Sequence, residues 1–196
     1  CVVIDKGPSA ADLYTERGNL VAVSSNGTAV LGLGNIGPLA SMPVMEGKAV
    51  LYDKFAGVSA TPILIDTLDA DEFIETVIRL SKTFGGIHLE DIRIPECFKI
   101  EAELRRRLKK PVMHDDQHGT AVVTLAALIN ACRVTGLDLR NAKVAQVGLG
   151  AAGSAIARLA IAYGAKSVMV TDVNADMVSR LVEDGAQAST LDAIMA

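Results

Sequence analysis

Tryptophan is absent from this 196-residue chain, aromatic residues make up only 4% of it, and no basic run is interleaved with aromatics. Nucleic-acid binding draws on stacking platforms and phosphate-neutralising cations, so the composition argues against a nucleic acid as main partner. No stretch approaches the ~20 uninterrupted apolar residues that a membrane span requires. The three cysteines, Cys1, Cys97 and Cys132, lack paired spacing. They read as buried or incidental thiols of a protein kept reduced, and a cytoplasmic location is expected. A large excess of charge of one sign is also missing, the net value being −4. With 50% of its residues apolar, the chain has the material for a sizeable core, and disorder is excluded. There is no internal repeat or low-complexity segment. The chain opens on Cys1 and stops after a strand-helix unit, which reads as a piece of a longer protein, with no targeting signal visible.

What is present alternates between strand and helix signals. Residues 19–33 alternate apolar and polar positions around Asn26-Gly27, a dipeptide that tolerates positive φ at both centres of a tight turn, and predict strand, turn, strand. Gly32-Leu33-Gly34-Asn35-Ile36-Gly37 follows with G-x-G-x-x-G spacing. Pro38 and Pro43 argue against a long helix starting at its last glycine, so tight backbone packing is expected there and not phosphate binding. Helical spacing over 45–55 carries Lys48 and Lys54, and 61–65 is a short apolar strand. Asp69 is the expected N-cap of a helix with Phe73, Ile74, Val77, Ile78 and Phe84 on its apolar face and Gly85-Gly86 as its stop. A strand over 87–91 ends in Glu90-Asp91. The helix expected over 93–109 gathers Arg105, Arg106, Arg107, Lys109 and Lys110 toward its C-terminus, where cations complement the dipole. Residues 120–134, almost unbroken in apolar character and ended by Gly136, read as a buried helix.

The most specific local motif is the second glycine loop, Gly148-Leu149-Gly150-Ala151-Ala152-Gly153. It follows an expected strand over 144–147 and opens a helix over 154–163, and the next strand, 167–171, closes on Asp172. This is the context of a dinucleotide-binding turn, with an acid about 20 residues on to accept from a ribose 2′-hydroxyl. Asp172 would repel a 2′-phosphate and Val173-Asn174 supply no cation, so NAD is expected, with NADP possible.

Four acids stand in two adjacent pairs, Glu90-Asp91 and Asp115-Asp116, each at the carboxyl end of an expected strand. If those strands are parallel neighbours, the pairs converge. Crowded carboxylates repel unless a cation or proton intervenes, and all-oxygen ligation suits Mg²⁺ or Mn²⁺; helix capping and surface acids are the alternative. His114 and His118 have the i,i+4 spacing of a helical zinc pair, but the helix is expected to begin only near Gly119. Lys48, alone among small and apolar residues, is either an ordinary surface lysine or a base whose charged form is disfavoured by burial and a nearby metal.

Taken together, Ser25 to Gly37 (SNGTAVLGLGNIG), Pro43 to Lys48 (PVMEGK), Glu90-Asp91-Ile92 and His114 to Thr120 (HDDQHGT) resemble the bacterial-type malic enzymes, in fixed order and over essentially the whole chain. The resemblance implies an α/β fold with an N-terminal malic-enzyme-type domain over 1–134 and a truncated Rossmann dinucleotide-binding domain over 135–196. It implies oxidative decarboxylation of L-malate to pyruvate and CO₂ with NAD(P)⁺ and Mg²⁺ or Mn²⁺. Carried over by position, Glu90, Asp91 and Asp116 are the expected metal ligands, Lys48 the general base, and Asp115 the acid that orients it. The family suggests a homodimer. Its proton-donating tyrosine belongs to a segment before Cys1, and neither Tyr14 nor Tyr52 matches that motif, so the full protein is expected to be an enzyme and this piece alone inactive. The rival readings are a metal-independent hydroxy- or amino-acid dehydrogenase and a catalytically silent cofactor- or metal-binding module.

Overall fold

The structure, a computed structural model, describes residues 1–195. It falls into two compact units, Cys1–His114 and Asp115–Ala196. In the first unit two short helices, α1 (Val2–Lys6) and α2 (Ala11–Tyr14), precede β1 (Leu20–Ser25) and the long α3 (Gly37–Ala56). Then come β2 (Ser59–Leu64), α4 (Ala70–Leu80), β3 (Gly86–Leu89), α5 (Glu96–Arg107) and β4 (Val112–His114). The four strands form one parallel sheet in the order β2-β1-β3-β4, the arrangement in which βαβ crossovers bring every strand's carboxyl end to the same edge.

Local chemistry accounts for these elements. Asp69 caps α4, its Oδ1 accepting from the backbone N–H groups of Asp71 and Glu72 at 2.7 and 2.9 Å. Those bonds hold its carboxyl below the ordinary range, and Phe73, Ile74 and Val77 on the buried face bring α4 into the core, as the spacing predicts, although the helix ends at Leu80, so Phe84 is buried from beyond it. Two expectations need correction. No second strand follows Asn26-Gly27; β1 pairs only in parallel, and 26–36 form a loop in which the Gly27 carbonyl accepts from the N–H groups of Ile36 and Gly37. Gly27 has φ 64°, and a Cβ there would collide with the Gly37 carbonyl and the Ser41 hydroxyl, so the turn chemistry serves close packing against the start of α3. The long helix does begin at the last glycine of the first motif. Pro38 sits in the first turn, where its missing N–H has no intrahelical partner to lose, and Pro43 is carried inside the helix.

The second unit opens with α6 (Asp115–Thr135), then β5 (Lys143–Val147), α7 (Ala151–Tyr163), β6 (Ser167–Thr171), α8 (Ala175–Glu183), β7 (Gln187–Ala188) and α9 (Leu191–Met195). Its strands pair in parallel in the order β5-β6-β7, over a core of Leu149, Ala157, Ala160, Val168, Val170 and Leu181. The sequence expectation drew the domain line at 134; the compact units divide twenty residues earlier, because α6 packs on α7. The helix starts five residues before the expected 120, since Asp115 and Asp116 favour a helix N-terminus. It is also less buried than its composition predicts: Ala121 and Cys132 are covered, but Val122, Val123 and Val134 are exposed. No described helix is long and apolar enough to cross a membrane.

Candidate functional site

The carboxyl edge of the first sheet concentrates buried polar groups. Ser24, Ser25, Asn26 and Thr28 at the end of β1 are each under a tenth exposed, as are His88, Glu90 and Asp91 at the end of β3. Buried polar side chains persist where hydrogen bonds satisfy them, and here the bonds tie the two strand ends together. Thr28 Oγ1 donates to Asn26 Oδ1 at 2.7 Å and accepts from the N–H of Arg93 at 3.0 Å. The Ala29 N–H donates to the Asp91 carbonyl, and the Glu90 N–H to the Ser24 carbonyl. The loop after Asn26 thus fixes the backbone from which both acids project.

Asp91 is held in an unusual state. Its φ is 53°, the left-handed region, which aspartate tolerates better than most residues but rarely occupies. Burial pushes its carboxyl up to about 6, the charge of Glu90 adds to the rise, and Lys48 opposes it. A strained backbone carrying two adjacent buried acids is costly to a fold and recurs where function demands it.

Lys48 comes to this edge from α3. Its Nζ lies 3.3 Å from Glu90 Oε2. Tyr52, one turn further along the same helix face, has its hydroxyl 2.9 Å from His88 Nδ1, and the ring's Nε2 lies 2.5 Å from the same Glu90 Oε2. Neither Tyr52 nor His88 stood out in the sequence as functional. Their signal was nonetheless present, since Tyr52 follows Lys48 by four residues on a helix and His88 precedes Glu90 by two on a strand, so each pair shares a face. Lys54 is exposed.

The second acid pair follows β4. In the parallel register Leu89 stands opposite His114, so Glu90 and Asp115 are each the next residue after a paired position. The end of β4 is pinned from α5, where buried Glu101 accepts from the His114 N–H at 3.1 Å. Asp115 and Asp116 form the first turn of α6 and are half-buried. A Cβ at Gly119 would run into the Asp115 carboxylate, so this glycine leaves room for the acid to fold back along its own helix. His114 lies in β4 and His118 in α6, so this histidine pair does not share a helix face. Three of the five cations of the basic run are held in structural pairings: Arg106 with Glu103, Arg107 with Glu75, and Lys110 on the carbonyls of Ser81 and Phe84.

In the second unit the strand-loop-helix reading matches β5, residues 148–150 and α7. Gly148 has φ 83°, and a Cβ at Gly153 would collide with the Gly148 carbonyl, so neither position accepts a side chain at little cost. Leu149 is fully buried and anchors the loop in the core, and Ser154 Oγ donates to the Leu149 carbonyl at 2.7 Å. Asp172, at the tip of β6, accepts from the N–H of Asn174 at 2.7 Å and of Leu149 at 2.5 Å, and these bonds lower its carboxyl's pKa. It borders a cavity of about 310 Å³ lined by Val147, Gly148, Thr171, Val173 and Leu191. Gly150, Ala151 and Ala152 form the turn into α7, whose first N–H groups have no partner within the helix and suit an anion.

Comparison with known proteins agrees with this division. The malic enzyme N-terminal domain profile matches residues 8–70 and 67–105, and the malic enzyme NAD binding domain profile matches 117–182. The NAD-dependent malic enzyme 1 of Bacillus subtilis is 56% identical over all 196 residues, which span 45% of its length. The NADP-dependent malic enzyme of Escherichia coli is 56% identical over 164 residues, 84% of this chain and 22% of that protein. The crystal structure of malic enzyme from Pyrococcus horikoshii matches with a TM-score of 0.86 at 49% identity, covering 89% of this chain and 41% of that one. The chain therefore spans less than half the length of these relatives. Its fold is a malic-enzyme-type α/β domain followed by a Rossmann-type domain.

Proposed function

The chain belongs to the malic enzyme family, and on that premise we propose that the full-length protein converts L-malate to pyruvate and CO₂ by oxidative decarboxylation, with NAD(P)⁺ and Mg²⁺ or Mn²⁺. The observation that carries the reading is the 3.3 Å pair between Lys48 and buried Glu90, beside an Asp91 whose carboxyl is raised to about 6. These acids suit a hard cation: both are oxygen donors, both are buried, and their mutual repulsion is relieved by a positive charge. Glu90, Asp91 and Asp116 are the proposed ligands, Lys48 the base and Asp115 the acid that orients it. A homodimeric, cytoplasmic enzyme is part of the same proposal.

When bound, the cation supplies Lewis acidity toward substrate oxygen, and the dinucleotide accepts hydride. With a cation beside it disfavouring the ammonium form, neutral Lys48 Nζ would accept the proton of the 2-hydroxyl as C2 gives its hydride to the dinucleotide; the distal carboxylate would then depart as CO₂, and the electron pair it leaves at C3 would take a proton from a general acid, the role of the tyrosine that the resemblance implies. The glycine loop lets the α7 N–H groups approach a pyrophosphate, and Asp172 accepts from the ribose. The test is malate-dependent formation of reduced dinucleotide and pyruvate by the full-length protein. Activity is expected with Mn²⁺ and is expected to vanish after EDTA treatment. Undiminished turnover after complete metal removal would favour a metal-independent dehydrogenase, and dinucleotide binding without turnover a silent module.

Cofactor choice is proposed to favour NAD⁺. Asp172 is an anion at the tip of β6, and Val173-Asn174 bring no cation to a 2′-phosphate. A kcat/KM for NAD⁺ about tenfold or more above that for NADP⁺ is expected, the equivalent of roughly 1.4 kcal/mol. Equal values, or a preference for NADP⁺, would remove Asp172 as the discriminating residue.

A further inference from the structure

We propose that His88 is a positioning residue that fixes the Glu90 carboxylate for cation binding, and that Tyr52 in turn fixes the His88 ring. The inference rests on the reading of Glu90 as a cation ligand, but its geometry stands apart from that reading. His88 is 3% exposed and Glu90 5% exposed, and both leave the same face at the end of β3. A carboxylate only accepts hydrogen bonds, so the His88 Nε2 that lies 2.5 Å from Glu90 Oε2 carries the hydrogen. In the neutral ring Nδ1 is then an acceptor, and the Tyr52 hydroxyl, 2.9 Å away, is the donor. The Tyr52 and His88 rings also meet edge to face, with centroids 5.5 Å apart and planes at 84°. Contact and hydrogen bond together restrict the imidazole to one orientation.

The arrangement does more than satisfy a core histidine. Glu90 Oε2 is reached from two sides, by His88 Nε2 from β3 and by Lys48 Nζ from α3. Lys48 and Tyr52 are one turn apart on α3, so one helix face delivers the proposed base and the hydroxyl that locks the histidine. A carboxylate free to rotate must lose that freedom when it takes a cation, whereas one already held has lost it. Groups behind a metal ligand that hold it in this way are typically worth about 10–100-fold in metal affinity.

The experiment measures Mn²⁺ binding to the full-length protein, following free Mn²⁺ by EPR, for wild type, His88→Leu, His88→Gln and Tyr52→Phe. His88→Leu is expected to weaken Mn²⁺ by about 10–100-fold. His88→Gln keeps an N–H for Glu90 and is expected to stay within about fivefold of wild type, and Tyr52→Phe to fall between the two. A histidine that served only packing would cost thermal stability in the metal-free protein without this graded order. ¹⁵N-¹H correlation of the imidazole in metal-free wild type is expected to give the Nε2–H tautomer. Mn²⁺ affinity of His88→Leu within threefold of wild type, or an Nδ1–H tautomer, would overturn the proposal. If His88→Leu does not fold, Tyr52→Phe and the tautomer decide: an affinity equal to wild type in Tyr52→Phe, with Nδ1 protonated, counts against it. Failure of wild type itself to bind Mn²⁺, with the tautomer as expected, would instead remove the cation reading on which the proposal rests.

Discussion

Lys48→Arg is expected to leave Mn²⁺ and dinucleotide binding within about threefold of wild type while kcat falls by about 10²-fold or more, the scale of lost general-base catalysis. Arginine preserves the positive charge opposite Glu90, so the ion pair is kept. It cannot deprotonate in a protein, and its planar fork replaces a compact amine whose single nitrogen can take a proton. The added length can extend toward solvent, since the Lys48 side chain is 26% exposed. The comparison must be made at saturating malate and metal, so that a change in binding does not pass for a change in chemistry. A kcat within about threefold of wild type would take Lys48 out of the mechanism. Loss of Mn²⁺ affinity in step with kcat would instead make it a structural partner of Glu90.

How much of this was legible in the sequence depended on whether the signal was local. The Asp69 cap, the apolar face of α4 and the second glycine loop were readable because each is decided by residues within one or two turns. The two acid pairs are readable as pairs, but the parallel register that sets Leu89 opposite His114 is not, because no periodicity encodes which strands are neighbours. Pro38 breaks a helix in its interior but starts one in its first turn, and the sequence alone does not say which position it holds. Asn26-Gly27 has the composition of a hairpin turn, while its role is to let a loop close onto Gly37. The apolar run of α6 predicted burial from composition, and composition does not say which neighbour covers which face. Tyr52 and His88 carry no local signature of their pairing, because they meet in a contact across 36 residues of sequence.

Large losses of metal affinity are expected at both Asp91 and Asp116, and of these two only Asp91 should pair loss of function with a gain in stability. Asp91 is an acid whose pKa is raised in the folded protein, to about 6, by burial and by Glu90. The folded state therefore holds that proton more tightly than the unfolded chain. The resulting destabilisation sets in as pH rises from about 4 toward 6 and is complete above that, for the metal-free protein. Asp91→Asn removes the buried charge, so at pH 7 it is expected to raise the Tm of the metal-free protein while weakening Mn²⁺ by at least about tenfold through loss of an anionic ligand. The gain in Tm is expected to shrink near pH 4, where the wild-type carboxyl is already neutral. Asp116→Asn is expected to weaken Mn²⁺ on the same scale without that gain, because its half-buried carboxylate opens a helix whose dipole favours negative charge. Asp115→Asn separates from both. Its proposed task is to orient Lys48, so kcat is expected to fall about tenfold or more with Mn²⁺ affinity within about threefold of wild type. Mn²⁺ titrations and thermal melts of the three full-length variants read out the division. Equal loss of affinity in Asp115→Asn and Asp116→Asn would mean that the pair is assigned wrongly, and a lower metal-free Tm for Asp91→Asn at pH 7 would mean that its carboxylate stabilises the fold.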